Sequence, residues 1–203
     1  NRGALAGAYN RAVCHLRERH VGAIDQIVFL DDDSDPAVLQ AFLADPVTAS
    51  RLADASTAAV APAYRDRATG MRGKYIELGR FRLSYLSRQF TDLRAVAFVI
   101  NSMSVWRLPA LDRIGAFNEG LAIDHVDTEY CLRARQLGLL IYVHGGHEFA
   151  HAIGERRRFR FLGREMQAGG HGPARRYLIG RNTLWLARDW LWREPAFAFL
   201  CAT

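Results

Sequence analysis

Hydrophobic positions in this chain come in short blocks, alternately strand-like and helix-like, divided by polar or glycine-bearing stretches. The alanine-rich opening, residues 1–17, predicts a helix entered through a small glycine-bearing turn. Residues 24–30 are β-branched and apolar and stop at Asp31-Asp32-Asp33, which predicts a buried parallel strand ending in a polar loop. Ser34-Asp35-Pro36 supplies a capping residue and a proline at the first helical position, and residues 37–43 carry that helix onward. Residues 57–61 predict a second strand, 65–94 a polar, basic excursion, 95–100 a third strand, and 108–114 a short helix opened by Pro109 and closed near Gly115. A helix over 127–137 stopped by Gly138, a strand over 140–143 and a long aromatic helix over 177–192 before Pro195 complete the order. Strands alternating with helices predict an α/β layer structure with polar groups gathered at strand ends. In such sheets ligands bind beyond the carboxyl ends of the strands, so the aspartates after Leu30 stand where a site is expected.

Composition narrows the function classes. At 203 residues one domain, 1–203, is expected, and half the residues are apolar with about a quarter charged, which excludes disorder, collagen and coiled coil. No apolar run approaches the roughly 20 residues that cross a bilayer. Cys14, Cys131 and Cys201 are odd in number and form no C-x-x-C pair, which argues against a disulfide scaffold or zinc ribbon and for a reducing compartment. The net charge of +6 is almost wholly arginine, because Lys74 is the only lysine. Arginine's planar fork suits phosphate oxygens, and a general Arg and Ala bias accounts for it equally well. A non-enzymatic arginine-rich binder of anions or nucleic acid is one alternative; the acidic clusters would repel phosphate unless a metal intervened, so no nucleic-acid partner is expected.

Three clusters can carry chemistry. Asp31, Asp32 and Asp33 place like charges side by side, an arrangement that calls for a cation, and hard oxygen donors favour Mg²⁺ or Mn²⁺ shared with substrate phosphates; the bland alternative is a solvated acidic turn with Ser34 or Asp35 as a helix cap. In Ile123-Asp124-His125-Val126-Asp127-Thr128-Glu129, Asp127 stands near a helix start, where it either caps free amides or acts as a base. A helix N-terminus would lower its pKa and make positioning matter more than basicity. His144, His147 and His151 surround Gly145-Gly146 in a spacing that matches no strong helical zinc pattern, although a carboxylate-held ion can take an imidazole as a further ligand. The arginine-rich residues 155–161 read as a solvated surface or an anion track. Tyr177, Arg181 and Asn182 share one helical face, with a packed helix carrying one buried arginine as the plain alternative.

Taken in order, these pieces resemble the family 2 glycosyltransferases, in particular the rhamnosyltransferase-like branch. The matching segments are Asn1-x-Gly3-x-x-Gly7-x-x-Asn10, Phe29-Leu30-Asp31-Asp32-Asp33-Ser34, Ile114-Gly115-x-Phe117-Asn118-Glu119, Ile123 to Arg133, His151-Ala152-Ile153-Gly154 and Tyr177-x-x-x-Arg181-Asn182. The resemblance implies a GT-A (Rossmann-like) fold, a mostly parallel sheet flanked by helices. It also implies an inverting transfer of rhamnose or another hexose from a nucleotide-diphosphate sugar to a hydroxyl of a glycan or lipid-linked acceptor. By it, Asp127 would be the catalytic base, Asp33 and His151 would hold Mn²⁺ or Mg²⁺, and Gly3, Asn10, Asp31 and Asp32 would bind the donor, with Asp124, Arg181 and Asn182 as further site residues. A first strand-helix-strand unit of the family would precede Asn1, and Asn101-Ser102-Met103-Ser104 stands where many members have a Ser-Gly pair.

The same resemblance implies a cytoplasmic enzyme at the inner face of the plasma membrane. Trp185, Trp190, Trp192 and Phe197 suit either peripheral membrane contact or a buried helix. The string Ile27-Val28-Phe29-Leu30-Asp31-Asp32-Asp33-Ser34 is also similar to the nucleophile loop of haloacid dehalogenase-type phosphatases. That chemistry needs a later lysine and a Gly-Asp pair; Lys74 is the sole lysine and no Gly-Asp pair occurs.

Overall fold

A computed structural model of the chain describes residues 4–20, 22–31, 37–152, 156–161, 163–169 and 171–202. Helix α1 (Ala4–Arg19) leads into strand β1 (Gln26–Phe29), followed by helices α2 (Ala37–Ala44) and α3 (Pro46–Ala53) and the long strand β2 (Thr57–Asp66). A hairpin of β3 (Ile76–Leu78) and β4 (Leu83–Tyr85) precedes β5 (Leu93–Val96), β6 (Ser104–Arg107) and helix α4 (Leu108–Ile114). A 3-10 turn at Glu119–Leu121 then leads to α5 (Val126–Gln136), β7 (Leu140–His151), the hairpin of β8 (Arg156–Phe161) and β9 (Arg164–Gly169), and the helices α6 (Pro173–Trp190) and α7 (Pro195–Cys201).

The central sheet runs β1-β6-β2-β7-β5. β2 and β7 pair in parallel, whereas β6 runs antiparallel to both β1 and β2, and β5 antiparallel to β7. The sheet is therefore mixed: β1, β2 and β7 point one way, and β5 and β6 oppose them. The parallel partner expected for residues 24–30 is replaced by β6, whose four residues merge in the sequence with the start of α4 and leave no turn signal between strand and helix. Two helical layers cover the sheet, giving the α/β layering that the alternation predicts. On one face α1, α4 and α5 enclose Ile27, Phe29, Trp106, Ile141 and Val143, with Phe117 stacked on Tyr130 at 3.9 Å. On the other, α2 and α3 pack Phe42 and Leu52 against Val60, Val105 and Tyr142. Burial on both faces explains why β2 reads as Ala-Ala-Val-Ala-Pro-Ala without polar alternation.

Other boundaries moved for local reasons. The excursion 65–94 holds the end of β2 and the β3–β4 hairpin, and the strand expected at 95–100 lies at Leu93–Val96. The strand expected at 140–143 continues to His151, because the glycines at 145 and 146 form a bulge instead of ending it. Residues 156–161 form β8 and pair with β9 from Arg156↔Gly169 to Phe161↔Arg164. The proposed cap at Ser34-Asp35 lies outside the described residues. Helix α3 carries the signature sought there: Asp45 accepts from the backbone N–H of Val47 (2.8 Å) and Thr48 (3.2 Å), with Pro46 at the first turn. Near the C-terminus the tryptophans divide: Trp190 and Phe197 are buried with Leu186, while Trp192 is 86% exposed.

Candidate active site

A cleft of about 290 Å³ opens at the carboxyl end of β1. Its walls are Leu5 and Tyr9 from α1, Asp31 just beyond β1, Asn101 and Ser102 before β6, Ile123 to Asp127 at the start of α5, and Arg175 from α6. The segments meet through backbone bonds: Met103 N donates to Phe29 O at 2.7 Å, and Leu5 N to Ala122 O at 3.0 Å. Ser104 Oγ bridges the carbonyl of Asn101 (2.8 Å) and the indole N–H of Trp106 (2.9 Å), which fixes the turn bearing Asn101 on the buried sheet.

Backbone strain concentrates here. Among the described residues the non-glycine positive φ angles belong to Ala4, Met103, Ala122, Asp124 and His125, each in the cleft wall or adjacent to it. Such conformations cost on the order of 1–3 kcal/mol each and persist where surrounding contacts over-determine them. The contacts come from α6. The side-chain amide of Asn182, fully buried, reaches the carbonyls of Leu121 and Ile123 at 2.9 Å and of Asp124 at 3.0 Å. Arg181 donates to Gly120 O at 2.9 Å, His125 Nε2 lies 2.9 Å from Thr183 Oγ1, and Arg175 forms a two-pronged pair with Asp124 at 2.9 and 3.0 Å.

Asp127 follows Val126 in the first turn of α5, and its Oδ1 accepts from Thr128 N at 2.8 Å. It is not the helix cap; His125 holds that position in a left-handed conformation. Burial pushes the Asp127 carboxyl above its ordinary range, outweighing the N–H it accepts and the helix terminus that was expected to lower it. Glu129, two residues on, is held by Arg133 at 2.8 and 3.0 Å, and that arginine also caps the carbonyls of Ile114 and Ala116. Of the motif's carboxylates, Asp124 and Asp127 line the cleft, and Asp124 is taken up by Arg175. Opposite Asp127, burial beside Asp31 raises the Tyr9 hydroxyl to about 12, so it stays a neutral donor, hydrogen-bonded with Asn101. The buried Oδ1 of Asn101 has no protein partner.

The structure brings Asp31, Asp124 and Asp127 together. Arg181 and Asn182 stand behind the loop as its supports; the buried residue is Asn182, Arg181 lies over the Trp185 ring at 4.3 Å, and Tyr177 is exposed. Asn10 does not reach the cleft: it donates to Phe117 O (3.0 Å) and Glu119 Oε1 (2.9 Å) and accepts from Phe117 N (2.7 Å), tying α1 to the 117–119 turn. His151 ends β7 opposite Asp66, beside the rings of Tyr64 and Phe149, and does not line the cleft. Gly3, Asp32 and Asp33 lie outside the described residues. Sequence reasoning missed Tyr9, Asn101 and Arg175, although Tyr9 and Asn101 both sit in segments that the family pattern marks.

The other two histidines of the 144–151 cluster, His144 and His147, assemble elsewhere. His147 Nε2 lies 3.0 Å from Asp45 Oδ2, His144 Nδ1 lies 3.0 Å from Thr48 Oγ1 and 3.9 Å from Asp45 Oδ1, and the two imidazoles are 4.8 Å apart. Their hydrogen bond from His147 and the two backbone N–H groups hold the Asp45 carboxyl at about 2.

No family model matches the chain. Over 75 residues, 37% of the chain, the sequence is 37% identical to the dTDP-rhamnosyl transferase RfbF of Shigella flexneri, a match that covers 24% of that protein. In structure, 93% of the chain superposes on a crystal structure of GalNAc-T7 with UDP, GalNAc and Mn²⁺, with a TM-score of 0.54 and 11% identity, covering 38% of that chain. This chain therefore spans well under half of either protein through these matches, and at 11% identity the structural likeness is one of fold. The chain has the GT-A glycosyltransferase fold.

Proposed function

We propose that this protein transfers a sugar, rhamnose or another hexose, from a nucleotide-diphosphate donor to a hydroxyl of a glycan or lipid-linked acceptor, with inversion at the anomeric carbon. The observation that carries the reading is the meeting of Asp31 and Asp127, from opposite halves of the chain, in one strained cleft at a strand end. Asp127 takes the proton of the acceptor hydroxyl as that oxygen attacks the anomeric carbon and the nucleoside diphosphate leaves from the opposite face. Burial raises its pKa, which makes it a stronger base than an exposed aspartate. Tyr9 and Asn101 offer a donor and a buried acceptor to hydroxyls of the bound sugar. Arg175, held to Asp124, brings positive charge to the rim.

Hard carboxylate oxygens of the run that begins at Asp31 suit Mn²⁺ or Mg²⁺, with Asp33 and His151 assigned to the ion by resemblance. An ion held there would supply positive charge to offset the negative charge on the departing diphosphate. The relative named for dTDP-rhamnose makes that sugar nucleotide the first donor to try. Among the described residues no helix is long and apolar enough to cross a membrane. Peripheral association at the inner face of the plasma membrane is part of the reading, supported by the exposed Trp185, Trp192 and Phe199.

The test is Asp127→Asn in the full-length protein. Turnover of dTDP-rhamnose should fall by about 10²–10⁴-fold while donor affinity, measured by calorimetry, changes little. Retention of most of the rate would remove Asp127 from the role of base.

A further inference from the structure

The bulge in β7 gives a second cluster of ligating side chains that shares no residue with the cleft. In a regular strand, residues three apart point to opposite faces of the sheet. Here the pairing with β2 jumps from Pro62↔His144 to Ala63↔Glu148, and the extra residues turn His144 and His147 to the same side, beneath the α2–α3 turn. The bulge is built rigidly. Gly145 N donates to Asp92 O at 2.9 Å, Arg72 donates to Gly145 O, and a Cβ at Gly145 would lie 2.3 Å from Phe90 O.

Above the two imidazoles, Asp45 Oδ1 is fixed by the N–H groups of Val47 and Thr48, which leaves Oδ2 turned toward His147. The candidate ligand atoms of Asp45, His144 and His147 lie within 4.8 Å of one another. Around tetrahedral Zn²⁺, with bonds of about 2.0–2.2 Å, ligand atoms stand roughly 3.4 Å apart, so modest side-chain rotations close the set. The donors are two imidazoles and one carboxylate, which suit Zn²⁺ and poorly suit Mg²⁺ or Ca²⁺. About a fifth of the Asp45 and His147 side-chain surface is exposed, enough for an ion to enter.

We infer that Asp45, His144 and His147 form a Zn²⁺-binding site that clips the α2–α3 turn to β7, with Thr48 Oγ1 or water completing the coordination. His151 lies opposite Asp66, four β2 residues beyond Pro62 and roughly 13 Å along the strand, so this site is separate from the ion assigned to sugar transfer and does not depend on that reading.

The experiment uses the full-length protein stripped with chelator. Zn²⁺ titration by calorimetry should show one equivalent bound in the wild type, with a rise in Tm, and Co²⁺ in its place should give the intense visible absorption of a tetrahedral site. Asp45→Asn and His147→Gln keep side-chain size and hydrogen-bonding capacity, and circular dichroism checks that each folds. Each should weaken Zn²⁺ binding at least about tenfold and abolish the Tm rise, since loss of even an outer partner costs about 10–100-fold. Absence of Zn²⁺ uptake by the wild type, or unchanged affinity in both folded variants, would overturn the assignment.

Discussion

The amide of Asn182, buried in the middle of α6, donates to the carbonyl of Asp124 at 3.0 Å, across more than fifty residues of chain. The same nitrogen reaches Leu121 O and Ile123 O, so one side chain holds three carbonyls of a loop whose backbone is strained at Ala122, Asp124 and His125. This support is what keeps Asp127 aimed at the cleft.

Replacing Asn182 with leucine preserves volume but removes the donor these carbonyls share; Leu121 O keeps the N–H of Ile123 at 2.7 Å, while the carbonyls of Ile123 and Asp124 lose their side-chain partner. Each buried group without a partner costs about 1–3 kcal/mol, and a loss near 2–4 kcal/mol in all is expected from urea unfolding. Turnover should drop by about tenfold or more even where the protein is fully folded, because small misplacements of a catalytic group are costly.

Asp127→Asn should stabilise the protein as it inactivates it. The folded-state pKa of Asp127 is raised, so as pH climbs past the ordinary value near 3.9 the unfolded chain ionises first, and stability falls until the folded carboxyl has ionised too. Asparagine removes that buried charge. A rise in Tm at pH 7 is expected by calorimetry, shrinking to nothing as pH falls well below the ordinary aspartate value. In the wild type, kcat/KM should rise with pH along a limb whose midpoint lies above the ordinary aspartate value.

Asn101→Leu separates binding from folding. The substitution removes the bond to Tyr9 together with the partnerless Oδ1; the loss of one and the relief of the other oppose, so unfolding free energy should change by less than about 1 kcal/mol. If that oxygen accepts a hydroxyl of the donor sugar, KM for the donor should rise by about tenfold or more with kcat less affected; unchanged KM would place the sugar elsewhere.

Two glycines make opposite predictions for the same substitution. Gly145→Ala drives a methyl into Phe90 O and its ring, and should destabilise by about 1–3 kcal/mol or more. Gly180→Ala on α6 meets no atom within 4 Å and should stabilise by about 0.5–1 kcal/mol through helix propensity alone. Chemical denaturation of both variants decides.

The helices were legible where a proline, cap or glycine marked their ends: α4 matches residues 108–114, and Gly138, at φ +71°, stops α5 as expected. The neighbour of β1 was not, because strand pairing is a long-range choice and β6 carries no local mark of standing between β1 and β2. Asp31, Asp124 and Asp127 were legible as chemistry. Of their supports, Asn182 was marked by the family pattern, but Arg175 was not, since its pairing with Asp124 spans more than fifty residues. The histidine group misled for the same reason: spacing cannot reveal that a bulge sends His144 and His147 to Asp45 while His151 goes to Tyr64.

The hydrogen bond from Met103 N to Phe29 O has a mechanical consequence. It ties the left-handed corner that displays Asn101 to the last residue of β1, two positions before Asp31. The two lips of the cleft therefore travel as one piece, and a molecule that tugs on the acidic lip moves the amide lip with it.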